Sequence, residues 1–385
     1  MWIGACTSSI GTWMQKVAQS WLVLELTKSP FLLGLDAFLG EIPILLFSLV
    51  GGVIADRMDR RHVLILSQLI QLSCAFLLAG LIATGAVQVW HILTLSFIVG
   101  TAQAFGGPAY QALIPTLVKA EDLPNAIALN SIQFNLARVI GPAIGGLAFT
   151  KLGYAWCFAL NGVSYIAVII SLVLVSVKYI PSPTGSSILH SMKQGIHFIR
   201  SHGSMEALIV LAFCMTALGV PLLTFLPVFA KDVLKGGPDT FTTMLSISGA
   251  GAITGALIVA WLGNIRNKGR LALSTLTLLG GLIATFALSK SLALSSVLLF
   301  IAGAFLVSVF AMISSLVQLI TGDEMRGRVM SVYNVAFRGG MPIGSLLTGY
   351  LVPIYSAPTV LAVNGLLLTV LGIYFLTVQR RVATL

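Results

Sequence analysis

The sequence predicts an all-α integral membrane protein in which 12 transmembrane helices form two pseudo-symmetric six-helix bundles. Of the 385 residues, 57% are apolar and only 9% are charged. A soluble domain carries about 25% charged residues, so this composition excludes a soluble enzyme, a nucleic-acid binder or a disordered regulator. Long apolar runs recur along the chain, and its two halves match weakly when one is shifted by 200 residues. These observations predict the fold class.

The apolar runs are long enough to cross a bilayer as helices, which needs roughly 20 residues each. They are continuous, whereas barrel strands would alternate in polarity. We place the spans at 1–24, 31–55, 63–84, 89–117, 124–150, 154–177, 205–230, 240–262, 270–289, 292–320, 327–354 and 357–378. A cleaved signal peptide is not expected, because the first span lacks a basic lead and is interrupted by Lys16. A start upstream of Met1 stays open.

Basic residues predict the orientation of the spans. With the N-terminus inside, 14 Lys and Arg fall in cytoplasmic loops and the C-terminal tail, and five fall in outer loops. This excess on one side follows the positive-inside rule and agrees with an even span count. Both termini are therefore predicted to be cytoplasmic.

One segment, residues 178–204, is longer than the other loops and divides the spans six and six. It begins with a Pro/Ser/Gly-rich stretch typical of a linker. Ile188, Met192, Ile196 and Ile199 then recur at helical spacing and predict an amphipathic helix on the cytoplasmic membrane surface. The predicted domains are an N-terminal bundle at 1–177, this linker at 178–204 and a C-terminal bundle at 205–385. A metal site from its three histidines would lack a Cys or carboxylate ligand.

The weak internal match falls on equivalent spans. The 200-residue shift superposes Ser131, Arg138 and Pro142 of span five on Ser331, Arg338 and Pro342 of span eleven. Two parallel six-span repeats are typical of transporters that carry substrate between their halves near the midplane.

The end of span two contains Gly52, and the loop after it contains Asp56, Arg57, Arg60 and Arg61. A glycine lets a helix end approach a neighbour, a carboxylate can accept hydrogen bonds at a helix N-terminus, and the basic residues hold the cytoplasmic surface. The spacing resembles the signature loop of the major facilitator superfamily. That resemblance implies a conformational latch from Asp56 to span eleven. Ile265 occupies the equivalent position in the second half, so the latch would be one-sided.

Span five contains Gly141, Pro142, Gly145 and Gly146, which resembles the Gly-Pro-x-x-Gly-Gly pattern of drug/proton antiporters. Small residues allow close helix packing, and the proline removes a backbone donor and can bend the span. A pure packing face and a role in coupling are both compatible with the pattern.

The stretches 11–26, 56–61 and 135–142 resemble the transmembrane secretion effectors, a bacterial efflux group that includes the enterobactin exporter type. The resemblance covers nearly the whole chain and implies proton-driven export of small molecules across the bacterial inner membrane. Two features depart from it. Span four lacks the arginine that many drug/proton antiporters carry there, and Asp36 and Glu41 stand where the group is apolar.

Five charged residues inside spans are the candidates for proton coupling or substrate binding: Lys16, Asp36, Glu41, Arg138 and Arg338. Each charge costs about 2.5–3.5 kcal/mol at a span centre, which a non-transporting scaffold has no reason to retain. By helical rise, Lys16 and Glu41 lie at nearly the same depth, so Glu41 is the first candidate for the coupling acid. Asp36 is expected nearer the outer surface, where it can be simply hydrated, and it is the next candidate for the coupling acid. A static Lys16–Glu41 ion pair that fixes two helices, and a pairing of Glu41 with Arg338, are the alternatives. The arginines can line the central cavity or brace neighbouring helices.

The leading hypothesis is a secondary transporter, expected to be monomeric in the bilayer, that exports a small amphipathic molecule in exchange for protons. Uptake, facilitated transport and a non-transporting scaffold or sensor are the alternatives. No enzyme constellation, Walker loop or metal cluster emerges, so neither a cofactor nor a nucleic-acid partner is expected.

Overall fold

The computed structural model describes residues 1–175, 188–263 and 265–385. Side chains outside this description are those of Leu49, Ala55, Asp56, Ala120, residues 188–191, Asp323 and Glu324. All regular structure in the described ranges is helical, with no strand, which confirms the predicted fold class. The Pro/Ser/Gly-rich start of the linker, through residue 187, lies outside the described residues.

The chain forms two compact units. The first comprises Met1–Gly185 and Gly237–Ser246, and the second comprises Ser186–Gly236 and Ile247–Leu385. The first contains α1 (Trp2–Thr27), α2 (Pro30–Arg57), α3 (Arg60–Ala83), α4 (Val89–Leu113), α5 (Leu123–Lys151) and α6 (Tyr154–Leu174). In this unit α1 packs on α5 and α6, α2 on α4, and α3 on α4 and α6.

The second unit begins with the amphipathic helix α7 (Ile188–Ser201), where the apolar spacing predicts a helix. There follow α8 (Gly203–Gly219), the short α9 (Pro221–Thr224) and α10 (Leu226–Val228), and a π-helical turn at Phe229–Val233. The remaining helices are α11 (Pro238–Leu262), α12 (Lys268–Leu288), α13 (Leu292–Ile320), α14 (Asp323–Tyr355) and α15 (Ala357–Thr377). Here α8 packs on α14, and α12 packs on α13 and α15. The first residues of α11, through Ser246, belong to the first unit.

Ten helical stretches in the described ranges are long and apolar enough to cross a membrane. The predicted first and eleventh spans, which form α1 and α14, are long helices outside these ten. Both contain many Ser, Thr, Gly, Gln or charged residues, which lowers their mean hydropathy. The 12-span count therefore stays a prediction. The two polar helices are also those that contain Lys16 and Arg338.

The same helix pairings occur in both units. The α1–α5 pair corresponds to α8–α14, and the α3–α6 pair corresponds to α12–α15. The α2–α4 pair corresponds to α11–α13, where a Cβ on Gly255 would overlap the Ala304 carbonyl oxygen. When α7 and the short helices are left out of the count, the first long helix of each unit therefore packs on the fifth, the second on the fourth and the third on the sixth. The internal repeat of the sequence is therefore also present in the packing of the helices.

Candidate functional site

An ion pair joins α1 and α2 close to the middle of both helices. Lys16 Nζ lies 3.6 Å from Glu41 Oε1, as the equal-depth argument predicts. The side chains are 58% and 30% exposed. Because a charge facing hydrocarbon is costly, this exposure indicates a hydrated face on the first unit.

Trp13 connects this ion pair to α5. Its ring centroid lies 5.6 Å from Lys16 Nζ and 6.0 Å from Arg138 Cζ, so both cations approach one aromatic ring. Phe134 meets the same ring edge-to-face at 6.4 Å between centroids. We call Trp13, Lys16, Glu41 and Arg138 the charged cluster. No carboxylate in the described part of the chain forms an ion pair with Arg138.

Asp36 lies in a separate, buried site between α1, α2 and α4, and only 7% of the residue is exposed. Gln19 Nε2 donates to Oδ1 at 3.0 Å and to Oδ2 at 2.9 Å. Ser96 Oγ donates to Oδ1 at 2.5 Å, and Gln19 Nε2 also lies 2.9 Å from Ser96 Oγ. The expectation that Asp36 is simply hydrated is therefore wrong. Its side chain points into the helix interface, where two neutral side chains replace water.

The sequence analysis also missed a buried polar network across α1, α3, α4 and α6. Tyr165 OH lies 3.3 Å from Gln71 Oε1, which also accepts from Gln103 Nε2 at 3.2 Å. Asn161 Nδ2 donates to Gln15 Oε1 at 2.6 Å. The sequence contains an indication of this network. Asn161 and Tyr165 lie four residues apart in a mostly apolar span and therefore share a helix face.

Arg338 lies near the middle of α14 in the second unit, and its side chain is exposed. Among the described residues it forms no ion pair. The structure therefore gathers three of the five predicted charges into the charged cluster. It places Asp36 in a separate site and Arg338 in the other unit.

The loop after α2 joins three helices of the first unit. Asp59 caps α3 by accepting from the Arg61 backbone N–H at 2.9 Å. Arg60 Nη1 donates to the Ala112 carbonyl at 2.9 Å and Arg61 Nη2 to the Val173 carbonyl at 2.7 Å. These acceptors lie in the last turns of α4 and α6, where unpaired carbonyls and the helix dipole favour cations.

Two predictions concern the end of α2 and the loop after it: a close helix approach at Gly52 and a latch from Asp56. The structure tests only the first. The close helix approach predicted at Gly52 is made by Gly51, where a Cβ would overlap the Ala104 carbonyl oxygen. A Cβ on Gly52 meets no atom within 4 Å among the described residues. Successive residues of a helix are rotated by about 100° around its axis, so adjacent glycines face different directions. The side chain of Asp56 lies outside the described residues, and Arg57 is exposed.

The span-five glycines pack against neighbouring helices of the first unit. A Cβ on Gly141 would overlap Trp13 Cβ, and one on Gly145 would lie 3.1 Å from Met14 Cα. A Cβ on Gly146 would lie 2.6 Å from Thr242 Oγ1. Gly141 therefore seats Trp13 next to α5, which connects the packing motif directly to the charged cluster.

The chain is similar in sequence to curated bacterial transporters. It is 23% identical to the staphyloferrin A transporter of Staphylococcus aureus over 97% of this chain and 94% of that protein. It is 22% identical to macrolide efflux protein A of Streptococcus pyogenes over 90% and 87%. It is 26% identical to the enterobactin exporter EntS of Shigella boydii over 92% and 84%.

Solved structures share the fold. The nucleoside transporter NupG superposes with a TM-score of 0.79 at 13% identity, covering 97% of this chain and 98% of that one. A D-xylose-proton symporter superposes with a TM-score of 0.77 at 13% identity, covering 98% and 96%. The sequence relatives are transporters rather than enzymes. Because the model of the transmembrane secretion effectors matches residues 1–384, the chain belongs to this family of major facilitator transporters.

Proposed function

We propose that this transporter exports a small amphipathic molecule across the bacterial inner membrane in exchange for protons, by alternating access. Two relatives, a macrolide efflux protein and an enterobactin exporter, support export. The observation that carries proton coupling is Asp36, a carboxyl group buried in an apolar interface and bonded to neutral donors.

A proton is the ligand that can neutralise Asp36. No Lys or Arg in the described ranges forms an ion pair with it, and its partners Gln19 and Ser96 are uncharged. Both partners lie on other helices, so a shift of α1 or α4 relative to α2 would change the donors available to the carboxylate. Such a change would alternately favour and disfavour the charged form, which is what coupled proton binding requires.

Glu41 is the second candidate for the coupling acid. Lys16 already compensates its charge, and the pair lies on an exposed face. We therefore assign the pair to the cavity surface that meets the substrate, together with Trp13 and Arg138. An aromatic ring flanked by cations suits an amphipathic molecule with an apolar or aromatic body and polar groups.

The test is transport in inverted membrane vesicles with two probes, a radiolabelled macrolide and enterobactin. For a probe that is a substrate, a gradient with an acidic vesicle interior should drive accumulation, and nigericin should abolish it. Asp36→Asn should abolish the pH-driven accumulation and retain substrate exchange, because exchange moves no net proton. Glu41→Gln should retain part of the pH-driven accumulation.

The control is Glu25→Gln, which removes an exposed carboxylate from α1 in the same unit and should behave like the wild type. Full pH-driven accumulation by Asp36→Asn would eliminate Asp36 as the coupling acid. Wild-type accumulation that is unaffected by nigericin would eliminate proton coupling itself.

A further inference from the structure

An open pocket with a basic lining lies between α7 and the start of α14, within the second unit. Its volume is about 460 Å³. The α7 side contributes Lys193, His197, Phe198 and Ser201, and the α14 side contributes Met325 and Arg328. Neither the charged cluster nor the Asp36 site shares a residue with it.

Backbone packing holds the two sides of the pocket together. Gly195 faces α14 so closely that a Cβ there would lie 2.8 Å from the Arg328 carbonyl oxygen. Ile199 is buried, whereas Ile196, one turn earlier at the edge of the same apolar stripe, is 38% exposed. The helix therefore uses one apolar stripe to dock on α14, and its position next to the pocket is set by van der Waals contact.

Among the residues that the structure describes, the lining carries positive charge and no carboxylate. Lys193, His197 and Ser201 recur every four residues and so form one row along α7. None of the lining residues that the structure describes is acidic. The one hydrogen bond of the Arg328 side chain in the described ranges runs from Nη1 to Met325 Sδ at 3.3 Å, a weak acceptor. Most guanidinium donors are therefore available to a ligand.

We propose that this pocket binds a phosphate group, carried either by an anionic phospholipid headgroup or by free phosphate. Two permanent cations, a histidine and a serine hydroxyl offer positive charge and hydrogen-bond donors to phosphate oxygens. Basic pockets beside membrane-spanning helices on the cytoplasmic side suit lipid headgroups. The exposed Ile196 and the lining Phe198 and Met325 supply apolar contact for an adjoining acyl chain.

The experiment is native mass spectrometry of the purified full chain titrated with phosphatidylglycerol, with phosphatidylcholine and with inorganic phosphate in separate arms. Phosphatidylglycerol should bind more tightly than phosphatidylcholine. Lys193→Gln or Arg328→Gln should each weaken binding about fivefold, and the double variant about 25-fold, since each basic residue near an anionic headgroup contributes a factor of this size.

Two variants control for charge and folding. Arg200→Gln removes a cation from the same helix outside the pocket and should leave binding unchanged, and Lys193→Arg should retain it. Inorganic phosphate that binds with the same residue dependence, while phosphatidylglycerol does not, would support the site and identify free phosphate as its ligand. The proposal fails if neither ligand depends on Lys193 and Arg328, or if Arg200→Gln weakens binding as much as they do.

Discussion

Two acids on one helix have different surroundings in this protein. Asp36 and Glu41 are five residues apart on α2, which separates them by about 140° around the helix axis. Asp36 enters the interface with α1 and α4, where Gln19 and Ser96 donate to it. Glu41 reaches the exposed face and meets Lys16. One carboxyl group of α2 is therefore buried among neutral donors, and the other lies in an exposed ion pair.

The surroundings of Arg138 favour a role in substrate binding over a role in bracing neighbouring helices. Its guanidinium lies beside the Trp13 ring and forms no ion pair among the described residues. We expect Arg138→Gln to reduce transport at least tenfold while folded yield falls less than twofold, because Arg138 has no carboxylate to brace among the described residues and lies beside the ring that we assign to the substrate-binding surface. Transport is measured in vesicles and folded yield by size-exclusion chromatography.

Arg138→Lys is the matched variant, since it retains the charge and loses the planar stacking group. It should recover part of the transport if charge attracts the substrate. Arg338→Gln tests the equivalent position in the second unit by the same pair of measurements. Loss of folded protein in proportion to transport would assign either arginine to a helix brace.

Helix pairing in this protein depends on glycines at which two backbones come close. Gly51 lies against α4, and Gly344 of α14 is positioned so that a Cβ would overlap the Ala217 carbonyl oxygen of α8. Helices in a bilayer associate through van der Waals packing rather than through exclusion of water, so such contacts supply much of their affinity. Two adjacent glycines, such as Gly51 and Gly52, can differ in whether they contact another helix.

Gly51→Ala and Gly52→Ala form a matched pair at the end of α2. The first places a methyl group on the Ala104 carbonyl oxygen, and overpacking of this kind costs about 1–3 kcal/mol. The second meets open space among the described residues and should be neutral or slightly stabilising, because alanine favours a helix. Thermal denaturation in detergent measures both. Equal melting temperatures for the two variants would contradict the assigned contact.

At the scale of the whole molecule, topology in the membrane is the property to test. The basic-residue distribution predicts Lys235 outside and Arg266 inside. In a background in which the four native cysteines are replaced, Lys235→Cys should react with an impermeant maleimide in intact cells. Arg266→Cys should react only in inverted vesicles. The reverse pattern would place both termini outside.

Much of this fold follows from local sequence properties. Composition and the length of the apolar runs determine a helical membrane protein, because each backbone polar group in a bilayer must be satisfied within its own helix. Depth along a helix is also a local quantity, since the rise per residue is constant. The approach of Lys16 to Glu41 could therefore be predicted, and it is confirmed at 3.6 Å.

Rotation about a helix axis is decided only by tertiary packing. Asp36 was assigned the wrong surroundings, because its partners Gln19 and Ser96 lie on other helices, and spacing along the chain does not show which faces of those helices turn toward α2. Because helix rotation is not known from spacing, the close approach was predicted at Gly52 instead of Gly51. For the same reason the partners of Asn161 and Tyr165 were not predicted. The sequence by itself determined the protein's helical membrane class and the positions of its charges along each helix. Contacts between helices decided which of those charges meet solvent, an aromatic ring or a buried partner.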